Sequence, residues 1–289
     1  MRRHKGSSTP PRSRRQGAET GPHGWRRGMY IDEHDLEGVH RLWRDMSAFP
    51  AGECDLALLH LLKKIAALLG GTDAFWVGAT RLSTMPKGDK LRGWRPRAVR
   101  FLHHDEARDR VLARFHADHK RNVVDPQTSA MLARAGKTRA CLRRELVDDQ
   151  TWNESALYRE VLRPLGVEDR LLGSHVVSAH AESYIGVDRS KTDPPFGERE
   201  RDILQLFLLG SVALHRDLMR SQGLIGIDVP LSPREQEVQE LLLTSLTEAQ
   251  IGLVLGLTPR TTHQYVVAIL RKWKVKGRVG LMAMWLRRD

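Results

Sequence analysis

Cysteine is nearly absent from this 289-residue chain: Cys54 and Cys141 are the only two, far apart and without metal-ligand spacing. That argues against a disulfide framework or a cysteine-held zinc, and a reduced, cytoplasmic compartment fits best. Long apolar runs are missing too. No stretch of about eighteen apolar residues suggests a membrane span, and Arg2-Arg3 is followed by no apolar segment of signal length. The motifs of common catalytic machinery are lacking: there is no Gly-rich phosphate loop, no Gly-x-Ser-x-Gly elbow and no His-Glu-x-x-His helix. Asp148-Asp149 lies in a polar stretch and reads as loop. His116 and His119 share a helix face near His103-His104, but no carboxylate or thiol is arranged around them, so they read as surface histidines. Neither catalysis nor a resident cofactor or metal is expected.

What is present is positive charge. The chain carries a formal +12 with an isoelectric point near 10.1, and a polyanion is the partner this suggests. The charge is concentrated. Residues 1–28 hold +7 in a Gly-, Pro- and Ser-rich stretch with almost no large apolar residue before Trp25, which reads as a disordered tail. It is either a basic arm for an acidic surface or a consequence of translation beginning at Met29.

Beyond it the periodicities alternate. Helical patterns over 34–48 and 55–69 precede a strand at 73–82, a turn at 87–90 and a partner strand at 97–103. Helices are expected at 106–119, 126–134 and 154–162, strands at 171–179 and 183–188, and one long helix at 198–219. This mixture predicts an α+β domain with a small central sheet over 29–220. Trp76, Trp94, Asp125 and Tyr184 are its candidate ligand-binding residues, with Trp152 a further aromatic able to line a pocket or fill a core.

A short Gly- and Pro-containing hinge, 221–230, separates this region from an all-helical module, 231–289. Ser232-x-x-Glu235 and Thr247-x-x-Gln250 are capping boxes, and Thr258-Pro259 opens a third helix two residues after Gly256. Helix, short turn, helix is the spacing that projects a later helix into a major groove. In the third helix Tyr265, Val266, Ile269, Leu270 and Trp273 face inward. Leu281, Met282, Trp285 and Leu286 buttress it from a fourth. The module carries +4, with five positives between 271 and 278, where phosphates would lie.

The run LSPREQEV…IGLVLGLTPRTTHQYV…LRKWKVKGR resembles the LuxR/NarL-type DNA-binding domain. The resemblance implies a four-helix fold whose third helix reads double-stranded DNA, homodimeric binding to a two-fold site, and a structural role for Glu235. Against that pattern Ser245 and Gly252 replace commoner small residues, and Thr262-His263-Gln264-Tyr265 and Val267 replace the usual reading residues. His263, Gln264 and Val267 are therefore the base-contact candidates: glutamine can bond adenine bidentately and valine can pack on a thymine methyl. Arg260, Thr261, Arg271, Lys272 and Lys274 are the backbone-contact candidates.

The earlier region, through Asp125-Pro126, RPLGVEDRL and Phe196-x-Glu198-Arg199-Glu200, resembles GAF-like sensor domains of LuxR-type regulators. This implies a small-molecule effector, and dimerisation through helices 34–48, 55–69 and 198–219. Asp125-Pro126 is similar to a motif of acyl-homoserine-lactone receptors, although Phe115 and His119 depart from the aromatic pair that accompanies it there. No strand ends in the acidic pair of a phosphorylated receiver. The whole reads as an effector-controlled transcription regulator, with RNA polymerase a further partner. A sigma-factor-like promoter reader, a protein-interaction module and a constitutive regulator whose first domain only dimerises remain alternatives.

Overall fold

The computed structural model describes residues 30–50, 53–82, 84–227 and 231–286; the basic tail and the end of the hinge lie outside them. The expected α+β domain followed by a helical domain is borne out. Helices α1 (Glu33–Ser47) and α2 (Cys54–Leu69) lead into strands β1 (Asp73–Arg81) and β2 (Trp94–Phe101). Then come α3 (Glu106–Lys120), α4 (Pro126–Ala133) and the short strand β3 (Arg139–Leu142), followed by two short helices, α5 (Arg143–Leu146) and α6 (Asp149–Glu154). A π-helical turn over Tyr158–Leu162 leads to β4 (Val167–Ser178), β5 (Ala181–Ser190), α7 (Glu198–Gly210) and α8 (Val212–Ser221). The C-terminal helices are α9 (Pro233–Leu242), α10 (Glu248–Leu255), α11 (Pro259–Lys272) and α12 (Arg278–Leu286).

The five strands form one antiparallel sheet in the order β2-β1-β5-β4-β3. Successive side chains on a strand point to opposite faces, and the two faces differ in what covers them. On one, Trp76, Leu171, Ile185 and Val187 share a core with Leu58, Leu61, Leu62 and Ile65 of α2 and with Ile203, Leu204, Phe207 and Leu208 of α7. On the other, Phe75, Leu172 and Tyr184 pack with Met131 and Cys141, and Ala79 and Trp94 with Leu91 and Leu132. A separate core made by Val238, Leu242, Ile251, Val266, Ile269, Trp273 and Leu281 holds the C-terminal helices together. Among the described residues no helix is long and apolar enough to cross a membrane.

Strand β3 and helix α5 were not expected, β4 starts at Val167 rather than 171, Asp149 opens α6 rather than lying in a loop, and three further departures have local causes. The long helix predicted over 198–219 is broken at Ser211. There the Ser211 hydroxyl donates to the Phe207 carbonyl at 2.5 Å and the Trp43 indole donates to the same oxygen at 3.2 Å, diverting an acceptor of the helical ladder. Trp43 also lies directly over Gly210, where a Cβ would come within 2.1 Å of its ring. The helix predicted over 154–162 is interrupted at Ser155, which ends α6 and caps the next turn through its hydroxyl at 3.2 Å from the Tyr158 amide. Strand β2 begins three residues early, because a bulge shifts its register between Gly78 and Ala79 of β1, which face Ala98 and Pro96 and leave Arg97 unpaired. The extra residue resets the alternation, so Trp94 and Pro96 share a face with Val99 and Phe101. Pro96 removes no ladder bond that matters, since β2 is an edge strand.

Charged side chains fasten these layers. Arg170 donates to both carboxylate oxygens of Asp188 at 2.6 and 2.8 Å, and its guanidinium sits 4.7 Å from the centre of the Phe75 ring. Arg189 donates to the carbonyls of Leu69 and Gly70 at 2.6 and 3.0 Å, closing the end of α2 where Gly70 turns left-handed at φ 63°. Arg108 of α3 reaches Asp73 at 2.9 Å. Removing one member of a buried pair strands the other, at a cost of about 3–5 kcal/mol. We therefore expect Asp188→Ala to lower unfolding free energy by roughly that amount in urea titrations, and the double change Arg170→Met, Asp188→Leu to recover most of it. Equal loss in both variants would mean that packing rather than charge matters at this pair.

Candidate nucleic-acid interface and ligand cavity

All three expected caps of the C-terminal domain are present. The Ser232 amide donates to Glu235 at 2.6 Å, and the Glu235 amide to the Ser232 hydroxyl at 3.3 Å. Thr247 and Gln250 make the same reciprocal pair at 2.8 and 3.3 Å, and Thr258 caps α11 through the Thr261 amide at 3.2 Å. Between them Gly256 turns the chain at φ 64°. Gly252 lets α10 approach α11: a Cβ there would stand 2.8 Å from the Thr262 hydroxyl and 3.1 Å from the Leu257 carbonyl. Thr262, Val266, Ile269 and Trp273 form the buried side of α11, with Tyr265 and Leu270 beside them. From α12, Leu281 is buried and Met282 packs against that core; the side chains of Trp285 and Leu286 lie outside the described residues.

The opposite side of α11 is solvent-facing. Arg260, His263, Gln264, Val267, Arg271 and Lys274 are exposed, and Val267 leaves 49% of an apolar surface in water. The Nδ1 of His263 lies 3.0 Å from Glu248 on α10, a solvent-exposed contact. Thr261 is half-buried, its hydroxyl 2.8 Å from that of Thr258. Lys272 stands apart from the other basic candidates. Its ammonium donates to Glu235 at 2.6 Å and the side chain is only 19% exposed, so it ties α11 to α9. That partner, together with Ser232, holds the Glu235 carboxyl below its usual range in spite of its burial.

In the α+β domain the sheet face turned away from α2 and α7 carries a cavity of about 170 Å³, almost wholly apolar in lining. Trp94, Asp125 and Tyr184 border it as expected. Trp76 does not. It is fully buried on the helix-covered face, its indole donating to the Ser183 hydroxyl at 2.7 Å, because strand alternation sends Phe75, Val77 and Ala79 toward the cavity instead. Asp125 caps α4 by accepting from the Thr128 amide at 2.8 Å. Tyr184 donates to the buried Glu182 carboxylate at 2.6 Å, and burial together with that carboxylate pushes its phenol well above its ordinary range. Glu182 also accepts from Ser174 at 2.7 Å and from Arg139 at 3.1 Å. Phe115 and His119 meet edge to face, ring centres 3.8 Å apart, and both line the cavity. Burial lowers the His119 pKa. Gln127 is one of the cavity residues that the sequence did not point to: a glutamine two residues past a helix cap carries no sign of burial, yet it is 2% exposed. Among the described residues no cluster of three or more His, Cys, Asp or Glu could hold a metal ion.

Residues 229–285 match the family described as "Bacterial regulatory proteins, luxR family". The C-terminal domain is a LuxR-family DNA-binding domain. No curated protein matches the chain. Solved structures similar to it include SdiA in complex with octanoyl-rac-glycerol, 14% identical over 88% of this chain and 96% of that one with a TM-score of 0.48. A second SdiA structure, from Escherichia coli, is 14% identical over 86% and 95% at 0.46. The N-acylhomoserine-lactone-dependent factor CepR2 from Burkholderia cenocepacia is 14% identical over 64% and 98% at 0.44.

The LuxR-family domain is hydrogen-bonded to the end of α8. Gln236 donates to the Gln222 carbonyl at 2.8 Å and Gln239 to that of Ser221 at 3.1 Å. Arg220 reaches the Met284 carbonyl at 2.9 Å. The Gln222 side chain then joins the sheet to this seam: its carboxamide donates to Asp55 at 3.1 Å and accepts from Arg100 at 3.1 Å. Burial first, and then the facing Asp55 carboxylate, push the Glu240 carboxyl of α9 up to about 7; Arg100 opposes the shift and Glu237 adds to it. A carboxyl raised in the folded state binds protons that the unfolded chain releases, so its contribution to stability falls as pH rises from the ordinary carboxylate range through about 7. His175 and His215, both held below the usual imidazole range by burial, act with the opposite sign at the acid end. The difference between wild type and Glu240→Gln therefore isolates the seam. We expect that difference in urea midpoint to grow in favour of the variant from pH 6 to pH 8, and a pH-independent difference would refute it.

Proposed function

We propose that this protein is a homodimeric transcription regulator whose affinity for a two-fold symmetric operator is set by a small molecule bound in the sheet cavity. The observation that carries the reading is the division of α11, whose buried side fixes it in a LuxR-family domain while His263, Gln264 and Val267 stand exposed in register along the other. These three read base edges in the major groove, Glu248 orienting His263. Arg260, Thr261, Arg271 and Lys274 bind phosphates. Lys272 contributes charge from a position fixed by Glu235. Exposed apolar residues on the helices expected to dimerise support the pairing: Leu36 on α1, Leu56 and Leu59 on α2, and Leu209 and Val212 at the α7–α8 break.

Strand β2 supports control by the cavity. Val99 and Phe101 line it, while Arg100, pointing the other way, reaches Gln222 beside the LuxR-family domain. A molecule that displaces those two side chains shifts the third. Coupling of this kind typically amounts to about 1–3 kcal/mol. RNA polymerase is the partner through which the bound dimer would act on transcription.

The first experiment is selection of the full chain on randomised duplex DNA at two salt concentrations. A two-fold symmetric motif is the expected result; salt-sensitive retention without any motif would sink the regulator reading. On the recovered operator, gel shifts with His263→Ala and Gln264→Ala are expected to relax preference at one base position each by about 1–3 kcal/mol. Arg271→Ala should weaken all sequences alike and reduce the salt slope by about one. Lys272→Ala should also weaken all sequences, and additionally lower the melting temperature because Glu235 loses its partner. Unchanged preference in both reading-helix variants would move the readout elsewhere.

A further inference from the structure

The cavity specifies a chemical class of ligand, an inference that rests on reading it as the effector site. Its volume, about 170 Å³, is close to the ~150 Å³ apolar cavity that accepts a single benzene ring, and below the ~300 Å³ at which drug-sized pockets begin. The lining is hydrocarbon apart from a few polar side chains, and the charged ones among them are already engaged. Arg170 is paired with both oxygens of Asp188. Asp125 caps α4 through one carboxylate oxygen. His119 is favoured in its neutral form by burial. An anionic ligand would lose its hydration here without gaining an uncommitted positive charge.

One polar group stands differently. The Gln127 carboxamide nitrogen is buried and has no protein acceptor within hydrogen-bond reach. Of the four buried side-chain nitrogens without a protein acceptor among the described residues, it alone belongs to a residue lining the cavity. A buried donor left unsatisfied is destabilising, and an acceptor on the ligand would remove that penalty.

We propose that the cavity binds a compact, uncharged, mostly hydrocarbon molecule about one ring in size, with one oxygen accepting a hydrogen bond from Gln127 Nε2. Gln127 is thereby a specificity-determining residue, and anionic or long-chain molecules are disfavoured.

Four probes test this on the full chain by calorimetry: acetophenone, ethylbenzene as its analogue without the oxygen, benzoate as the charged analogue, and monooctanoylglycerol as an elongated neutral amphiphile. Acetophenone is expected to bind about tenfold more tightly than ethylbenzene, and benzoate and monooctanoylglycerol more weakly than acetophenone. In Gln127→Leu the preference for acetophenone over ethylbenzene should collapse to near unity. Should that variant fail to fold, the side-chain amide resonances of Gln127 in the wild-type protein supply the second readout: acetophenone should shift them and ethylbenzene should not. Tighter binding of benzoate or monooctanoylglycerol, or an oxygen preference that survives in Gln127→Leu, overturns the ligand class. Gel shifts on the selected operator separate the two readings. Acetophenone that binds without altering DNA affinity leaves the class intact and removes the effector role. DNA affinity that answers only to monooctanoylglycerol keeps the effector role and removes the class.

Discussion

Side chains leave a β-strand alternately on its two sides, and this chain uses the two sides of one sheet for different ends. Trp76, Ile185 and Val187 go to the side closed by α2 and α7, where dense packing leaves the core fully buried. Phe75, Val77, Tyr184 and Leu172 go to the side roofed by α3 and α4, where packing is incomplete and the cavity lies. Close packing and the cavity thus lie on opposite faces. The assignment holds only while the register does, because a one-residue slip exchanges the two sets. Gly186 shows how closely that register is set: it pairs with Phe75, whose ring lies so near that a Cβ at Gly186 would fall 2.1 Å from it.

Charge is used inside this domain as a fastening rather than as a binding surface. Arg189, Arg139 and Arg108 join separate elements through the carbonyls ending α2, Glu182 and Asp73 respectively, and Arg170 ties β4 to β5 through Asp188. Guanidinium groups suit this because they stay ionised and donate in a fixed fork. The consequence reaches the cavity, where Arg170 is already paired with Asp188 and the carboxamide nitrogen of Gln127 is buried without a protein acceptor. In the LuxR-family domain Lys272 and Glu235 act in the same way, while the remaining basic side chains of α11 stay outside.

Local signals were legible in the sequence and distant ones were not. Ser232, Thr247 and Thr258 announce helix starts because a cap and its partner lie three residues apart, and each is where it was expected. The solvent-facing side of α11 follows from helical spacing alone. The strand DAFWVGATR could not disclose which of Phe75 and Trp76 faces the cavity, since both of its sides are covered and it lacks polar alternation. The break at Ser211 depends on Trp43, 164 residues from the carbonyl it bonds, and the capture of Lys272 on a glutamate 37 residues away. Gln127 misled for another reason: its polarity suggests solvent, and only the roof formed by α4 buries it.

The unpaired residue in β2 has a consequence for how this domain can diverge. Trp94 and Pro96 reach the cavity from before the bulge, Val99 and Phe101 from after it, and Arg97 sets the phase between them. Deleting one residue there would leave the hydrogen-bonded ladder feasible and turn Trp94 and Pro96 outward, emptying half a wall without unfolding the sheet. The turn between β1 and β2 is under no such arithmetic, because its length fixes no parity. Lineages carrying this scaffold are therefore free to lengthen or trim the segment near Gly88, yet must conserve the residue count from Trp94 to Phe101 while exchanging side chains within it. Variation by replacement in the wall and by insertion in the turn is the pattern that the geometry permits.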